Sequence, residues 1–170
     1  LFYPEIETTQ FLRKNLSYSR FLPLHQEIFG TNHQTVYGLE SIEGFSAYYN
    51  DKYGTFVALG QEYAPVGSFG AHLERTVYGR NYQANVFNLL SVKYFLSFED
   101  LNSNDYPLVF EEGRVKVYEN KRVLPRAFLA CGWEKENDPV EVIKKISRLE
   151  NPQEKVFVQQ ELDVRCRKGL

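Results

Sequence analysis

Three histidines (His25, His33 and His72) and two cysteines (Cys131 and Cys166) are the side chains of this chain best suited to hold a metal or attack a substrate. No two histidines stand at i, i+3 or i, i+4, and none falls in an H-E-x-x-H sequence. The cysteines are far apart and neither has a C-x-x-C partner. The carboxylates are plentiful but follow no calcium-loop spacing. Neither a metal nor a cofactor is expected. Gly44-Phe45-Ser46-Ala47-Tyr48 imitates the opening of a G-x-S-x-G nucleophile elbow but lacks the final glycine, and the residues before it read as loop rather than strand. Ser46 is therefore expected to cap a helix and not to act as a nucleophile. Gly67-Ser68-Phe69-Gly70 is too short for a phosphate cradle, and no lysine follows it. No catalytic residue is expected in this chain.

The cysteines leave two arrangements open. Outside the cytoplasm they form one disulfide closing a long loop, worth a few kcal/mol. Otherwise Cys131 is a buried strand residue and Cys166 a free thiol in a loose tail. A chain large enough to fold without a staple favours the second. Aromatic residues are the unusual feature, with 12 Tyr, 13 Phe and 1 Trp. Tyrosines cluster at Tyr48, Tyr49 and Tyr53 and again at Tyr78 and Tyr82. Such side chains suit sugar faces and protein interfaces when exposed, and a core and its rim when buried; the second is the expectation for most of them. Asn15-Leu16-Ser17 matches a glycosylation sequon by pattern alone.

The elements that must position these residues follow from patterning. The chain has 170 residues, 43% hydrophobic and 25% charged, with 20 Lys plus Arg against 22 Asp plus Glu and a formal net charge of −2. That fits one folded domain, is too apolar for disorder, and lacks the basic field that nucleic acid requires. No apolar run approaches the ~20 residues of a membrane helix. No methionine is present and residue 1 is Leu, so the chain reads as a piece cut from a longer protein, with residues 1–170 as one domain and 150–170 as a loosely attached tail or the start of the next region.

A first helix is expected from Pro4, which suits the first turn, with Ile6, Phe11 and Leu12 facing inward and Arg13 and Lys14 in the last turn. Residues 20–24 read as a short strand that Pro23 places at an edge or a strand end. Residues 30–44 are polar and rich in turn formers. A helix capped by Ser46 is expected to run to about residue 62, despite Gly54 inside it. Residues 64–70 read as a loop, and Asn81 or Asn85 opens a short helix carrying Val86, Phe87, Leu89 and Leu90. Residues 92–98 are β-branched and aromatic and read as a strand. Residues 99–106 read as a loop. Residues 108–110 and 114–118 form a hairpin around Glu111-Glu112-Gly113, with Val115 and Val117 on one face and Lys116 and Tyr118 on the other. The apolar run 127–131 is expected to be a central strand. Asp138-Pro139-Val140-Glu141 is a helix start with a cap, a proline and an acid in the right places. Residues 156–158 form a last strand. Helices interleaved with strands predict an α/β (α+β) fold with a mixed β-sheet flanked by helices.

Four segments taken in order resemble one family. They are residues 4–20, a short helix leading to Arg20 at a strand start; Val36-Tyr37-Gly38-Leu39 through Gly44-Phe45, similar to the family's "YG…GY" turn; Asn88-Leu89-Leu90-Ser91-Val92-Lys93-Tyr94-Phe95-Leu96; and Val117-Tyr118-Glu119-Asn120 through Leu124-Pro125-Arg126-Ala127-Phe128. The chain resembles the soluble extracytoplasmic domain of YfhO-type polytopic bacterial membrane proteins, which are grouped with the GT-C glycosyltransferase superfamily. The likeness runs over nearly the whole chain, and the "LLxVKY" and "YEN…LPRAF" pair is its most specific part.

The resemblance implies a parent with many membrane helices that moves a sugar from a polyprenyl-phosphate donor to an envelope acceptor, with its catalytic carboxylate outside this chain. This domain would then be a non-catalytic accessory on the extracytoplasmic side of the cell membrane, binding or positioning an envelope glycan or lipid-linked sugar, or packing on the transmembrane part of the same polypeptide. Its binding candidates are Arg20, Tyr37, Lys93, Tyr94 and Arg126. Each also admits a structural role: Arg126 beside a strand needs a carboxylate or carbonyl fork, and Asn120 suits a turn with positive φ. The rival readings are a protein-interaction module without ligand and a free-standing secreted enzyme. The last would require a deep pocket with convergent polar groups.

Overall fold

The computed structural model describes residues 3–30, 32–45, 50–61 and 79–163. It is an α/β domain whose central sheet has four strands in the order β1-β2-β4-β3. They are β1 (Arg20–Pro23), β2 (Val92–Ser97), β3 (Leu108–Glu112) and β4 (Val115–Glu119). β1 runs parallel to β2, and the other pairings are antiparallel, so the sheet is mixed as expected. β1 is the end strand and Pro23 its last residue, where a missing N–H costs least.

Alternation along β2 and β4 divides the core. Phe21, Tyr94, Leu96 and Val117 face one side, where helix α1 (Glu7–Asn15) brings Leu12, and Leu16 follows directly after the helix. Leu22, Phe95 and Tyr118 face the other, against Val57 of α2 (Asp51–Gly60) and Val86 and Phe87 of α3 (Asn85–Leu89). The expected split of Val117 from Tyr118 is observed. Phe87, Phe95, Tyr82 and Tyr106 meet edge to face with centroids 5.2–6.1 Å apart, a geometry that adds to their area burial. On that side Gly60 is required by closeness, because a Cβ there would lie 2.8 Å from Val86 Cβ. A 3₁₀ helix (His33–Tyr37) lies within the polar segment before α2.

Several local expectations are corrected. α1 begins at Glu7, so Pro4 precedes the helix and Ile6 is an exposed N-cap rather than a core residue. α2 begins at Asp51 and is capped by Asn50, whose side chain accepts from the N–H groups of Lys52 and Tyr53; Ser46, Tyr48, Tyr49, Tyr78, His72 and the loop at 64–70 lie outside the described residues. Glu111 and Glu112 remain in β3, and the hairpin turns at Gly113-Arg114, with Gly113 at φ 60°, as the first central position of a type II′ turn demands.

The run 127–131 is not a strand: Leu129 is 96% exposed and no strand includes it. Apolar composition favours a strand only where a neighbouring strand offers its ladder. The ladder instead forms one step later. β5 (Gly132–Lys135) pairs in parallel with β6 (Lys155–Val158), and α4 (Pro139–Arg148) connects them. Asp138 caps α4 by accepting from Val140 and Glu141 N–H, as its sequence indicates. Lys145 reaches back from α4 to Glu134 and Glu136, at 2.8 and 2.7 Å. α4 itself packs on α2 and α3. Cys131 is exposed and disulfide-bonded, which overturns the expectation of a buried strand thiol. The only other cysteine of the chain, Cys166, lies outside the described residues.

Candidate functional site

The five candidate side chains are placed by β1, β2 and their flanks, and each is engaged by the protein itself. Arg20 opens β1. Its Nη1 donates to Leu90 O at 2.9 Å, and its Nε lies 3.7 Å from Glu40 Oε2. Arg126 approaches the same carboxylate oxygen, with Nη2 at 2.5 Å. Two residues far apart in sequence therefore converge on Glu40. All three are partly exposed, so the cluster contributes on the order of 1 kcal/mol.

Lys93 sits at a bulge. Arg20 pairs with Val92 and Phe21 with Tyr94, which leaves Lys93 unopposed. Its ammonium lies 4.9 Å from the Tyr94 ring centroid and donates to Asn15 O at 2.7 Å. A cation at the last carbonyls of α1 is favoured by the helix dipole. Tyr94 is buried against Phe11, ring centroids 5.4 Å apart. Tyr37 ends the 3₁₀ helix; its hydroxyl donates to Pro4 O at 3.1 Å, and its carbonyl accepts from Arg13 at 3.4 Å. Only Arg20 and Arg126 are brought together on one group. Among the described residues no group of three or more His, Cys, Asp or Glu is placed to hold a metal ion.

The most ordered polar constellation was not among the candidates. Asn120 is fully buried. Its Nδ2 donates to Asn88 Oδ1 at 2.8 Å and to Val92 O at 2.9 Å, and its Oδ1 accepts from Arg122 N–H at 3.0 Å. It is not among the described non-glycine residues with positive φ, which are Ser17, Asn32 and Ser91. Only the positive φ fails: Asn120 does open a turn, its carbonyl accepting from Val123 N–H at 3.3 Å, and it adds a core hydrogen-bonding role. The chain of amides continues outward. Asn88 donates to Asn85 Oδ1 at 3.3 Å, and Asn85 Nδ2 donates to Ser147 O and Leu149 O at 3.1 and 2.7 Å, satisfying carbonyls at the end of α4. Arg122 Nη2 closes the ring on Asn85 Oδ1 at 2.6 Å.

This network opens onto a cleft of about 240 Å³ lined by Gly60, Asn81, Gln83, Ala84, Asn85, Arg122 and Ser147. A second, more apolar cleft of about 310 Å³ lies between α2 and α4, with Phe56, Val142, Ile143 and Phe157 among its walls. The sequence signal for the first was the Asn120-x-Arg122 pair after β4, but the partners Asn85 and Asn88 are joined to it only by the fold.

One carboxyl departs strongly from its ordinary range. Burial pushes Glu43 up to about 7, opposed by a hydrogen bond from the Gly79 backbone. Glu112 moves the other way. The Thr8 hydroxyl and the Thr8 and Glu7 N–H groups hold it below the usual carboxylate range against a partial desolvation cost. The Lys116 ammonium, 2.6 Å away, and the Tyr118 hydroxyl lower exposed Asp100. None of these carboxyl groups lines either of the two clefts.

Comparison with protein-family models, with curated proteins and with solved structures finds no match to this chain. No described helix is long and apolar enough to cross a membrane.

Proposed function

We propose that this chain is a non-catalytic accessory domain carried on the extracytoplasmic side of a membrane-bound, glycosyltransferase-like protein, where it packs on the membrane part of the same polypeptide or positions an envelope glycan. The supporting observation is the fate of the charged candidates. Arg20 and Arg126 are both directed to Glu40, and Lys93 caps α1. Groups already held by the fold position elements; they do not converge on a reacting atom as acid–base chemistry needs. The resemblance over the "LLxVKY" and "YEN…LPRAF" segments supplies the membrane context.

The test is the topology of the full-length protein. The coding region before Leu1 is expected to hold many apolar stretches of about 20 residues. A membrane-impermeant reagent applied to intact cells is expected to label a cysteine introduced at exposed Tyr18. Labelling only after lysis, or a parent without such stretches, overturns the proposal.

The interaction-module reading draws on one observation. Leu108 and Val109 are both exposed on β3, the outermost strand of the sheet, where an unpaired edge accepts another chain. A concentration-dependent dimer that L108K abolishes would favour it.

A further inference from the structure

We propose that the Arg122 cleft binds an acidic monosaccharide unit, a single sugar ring carrying a phosphate or carboxylate. Arg122 differs from Arg13, Arg20 and Arg126, each of which has a carboxylate partner. Its one side-chain bond is to the neutral Asn85 oxygen, and no described acid pairs with it. The rest of its donor fork is left unpaired at the cleft, in a geometry that matches a carboxylate or phosphate.

The fork is held in place beforehand. Its backbone N–H is fixed by Asn120, its guanidinium by Asn85, and Asn85 in turn by Ser147 O and Leu149 O. Ordering that a ligand would otherwise impose is already present, which raises affinity for a given contact. The remaining walls suit hydroxyl groups. The Asn81 side-chain amide makes no bond to any described residue, and Gln83 makes only a long 3.5 Å bond to the Tyr82 hydroxyl. Asn81 is anchored through its backbone N–H on Gln61 Oε1 at 3.1 Å. Among the described residues no aromatic ring lines the cleft, and those that line it offer edges and charge for recognition. A volume near 240 Å³ is below the roughly 300–1,000 Å³ of drug-sized sites and sets the size at one ring.

The natural source of the ligand rests on the accessory-domain reading; binding by the cleft does not. The experiment is a ¹⁵N NMR titration of the whole chain with glucuronate, glucose 1-phosphate, inorganic phosphate and methyl glucoside. Expected are saturable shifts of the Asn81, Gln83 and Asn85 side-chain amides and of Arg122 Nε, with millimolar Kd for at least one acidic sugar. That sugar should bind about tenfold more tightly than methyl glucoside. Arg122→Gln is expected to remove that preference. Q83A lies outside the buried network, so it keeps the fold and is expected to weaken the acidic sugar severalfold. Saturation by glucuronate alone identifies a uronic acid unit, and by glucose 1-phosphate alone a phosphorylated one. Inorganic phosphate binding as tightly as glucose 1-phosphate, with no response to glucuronate, overturns the sugar assignment. Absence of saturable shifts at the cleft, or shifts unchanged by R122Q, overturns the proposal while leaving the topology test standing.

Discussion

Asn120 and Asn88 meet side chain to side chain inside the domain, Nδ2 to Oδ1 at 2.8 Å, with both residues buried. Asn120 also serves Val92 O and Arg122 N–H, so it joins the start of β2, the end of β4 and α3. Asn120→Ala leaves three groups without their partner, at a cost of about 3 kcal/mol. Urea denaturation should show this as a lower midpoint with little change in slope. A cycle with Asn88→Ala should return a coupling of about 1–2 kcal/mol. Simple additivity would mean that the two amides do not act as a unit.

How far the sequence discloses this fold depends on the range of the interaction. The start of α4 was legible because its cap, Asp138, lies two and three residues from the N–H groups it accepts. β2 was legible because its alternation serves two buried faces. The 127–131 run was misread because strand formation depends on a partner strand, and Leu129 has solvent instead. The Asn85–Asn88–Asn120–Arg122 network was hidden for a related reason. Asparagine in isolation signals a turn, and only the packing of α3 beside the end of β4 turns it into a core donor.

Glu112 shows the same dependence at a helix end. It stands on β3, yet its carboxylate accepts from Glu7 N–H at 3.2 Å, Thr8 N–H at 2.7 Å and Thr8 Oγ1 at 2.6 Å. It therefore caps α1 from across the chain, where an anion is favoured by the dipole. Glu112→Ala should cost about 1–2 kcal/mol, and Glu112→Gln less. Because the folded carboxyl lies below its ordinary value, its contribution is present above the unfolded pKa and fades as pH falls through the folded one. Wild type should lose stability over that acidic range faster than E112Q does, measured by urea midpoints. Parallel pH profiles would remove Glu112 from this role.

Glu43 carries the opposite sign. Its folded carboxyl titrates at about 7 against 4.5 unfolded, because burial penalises the charged form more than the Gly79 N–H favours it. The folded protein holds this proton more tightly, so the contribution is complete below pH 4.5 and is lost as pH rises through about 7. The full span is on the order of 3 kcal/mol. Glu43→Gln should flatten stability between these limits and raise it at pH 8. An E43Q protein no more stable than wild type at pH 8 would show that the carboxylate is well solvated.

The disulfide at Cys131 acts on the smaller sheet. Cys131 immediately precedes β5, and the one cysteine available to it by composition is Cys166, beyond β6. A crosslink between these two would close a segment that contains β5, α4 and β6, and restrict the unfolded chain by about 3–4 kcal/mol. A two-stranded sheet is marginal by itself, and β5–β6 is held to the rest through α4 on α2 and α3. Reduction should thus loosen this segment selectively. Hydrogen exchange should speed up at Gly132 N–H, bonded to Glu154 O, and at Glu136 N–H, bonded to Val158 O. Protection of Leu24 N–H, bonded to Leu96 O in the central sheet, should persist. C131S should reproduce the effect without reductant, and a non-reducing peptide map should join the peptides that hold Cys131 and Cys166. Equal loss of protection in both sheets would mean that the crosslink supports the whole domain, and unchanged exchange at Gly132 would mean that α4 alone suffices to hold β5 on β6.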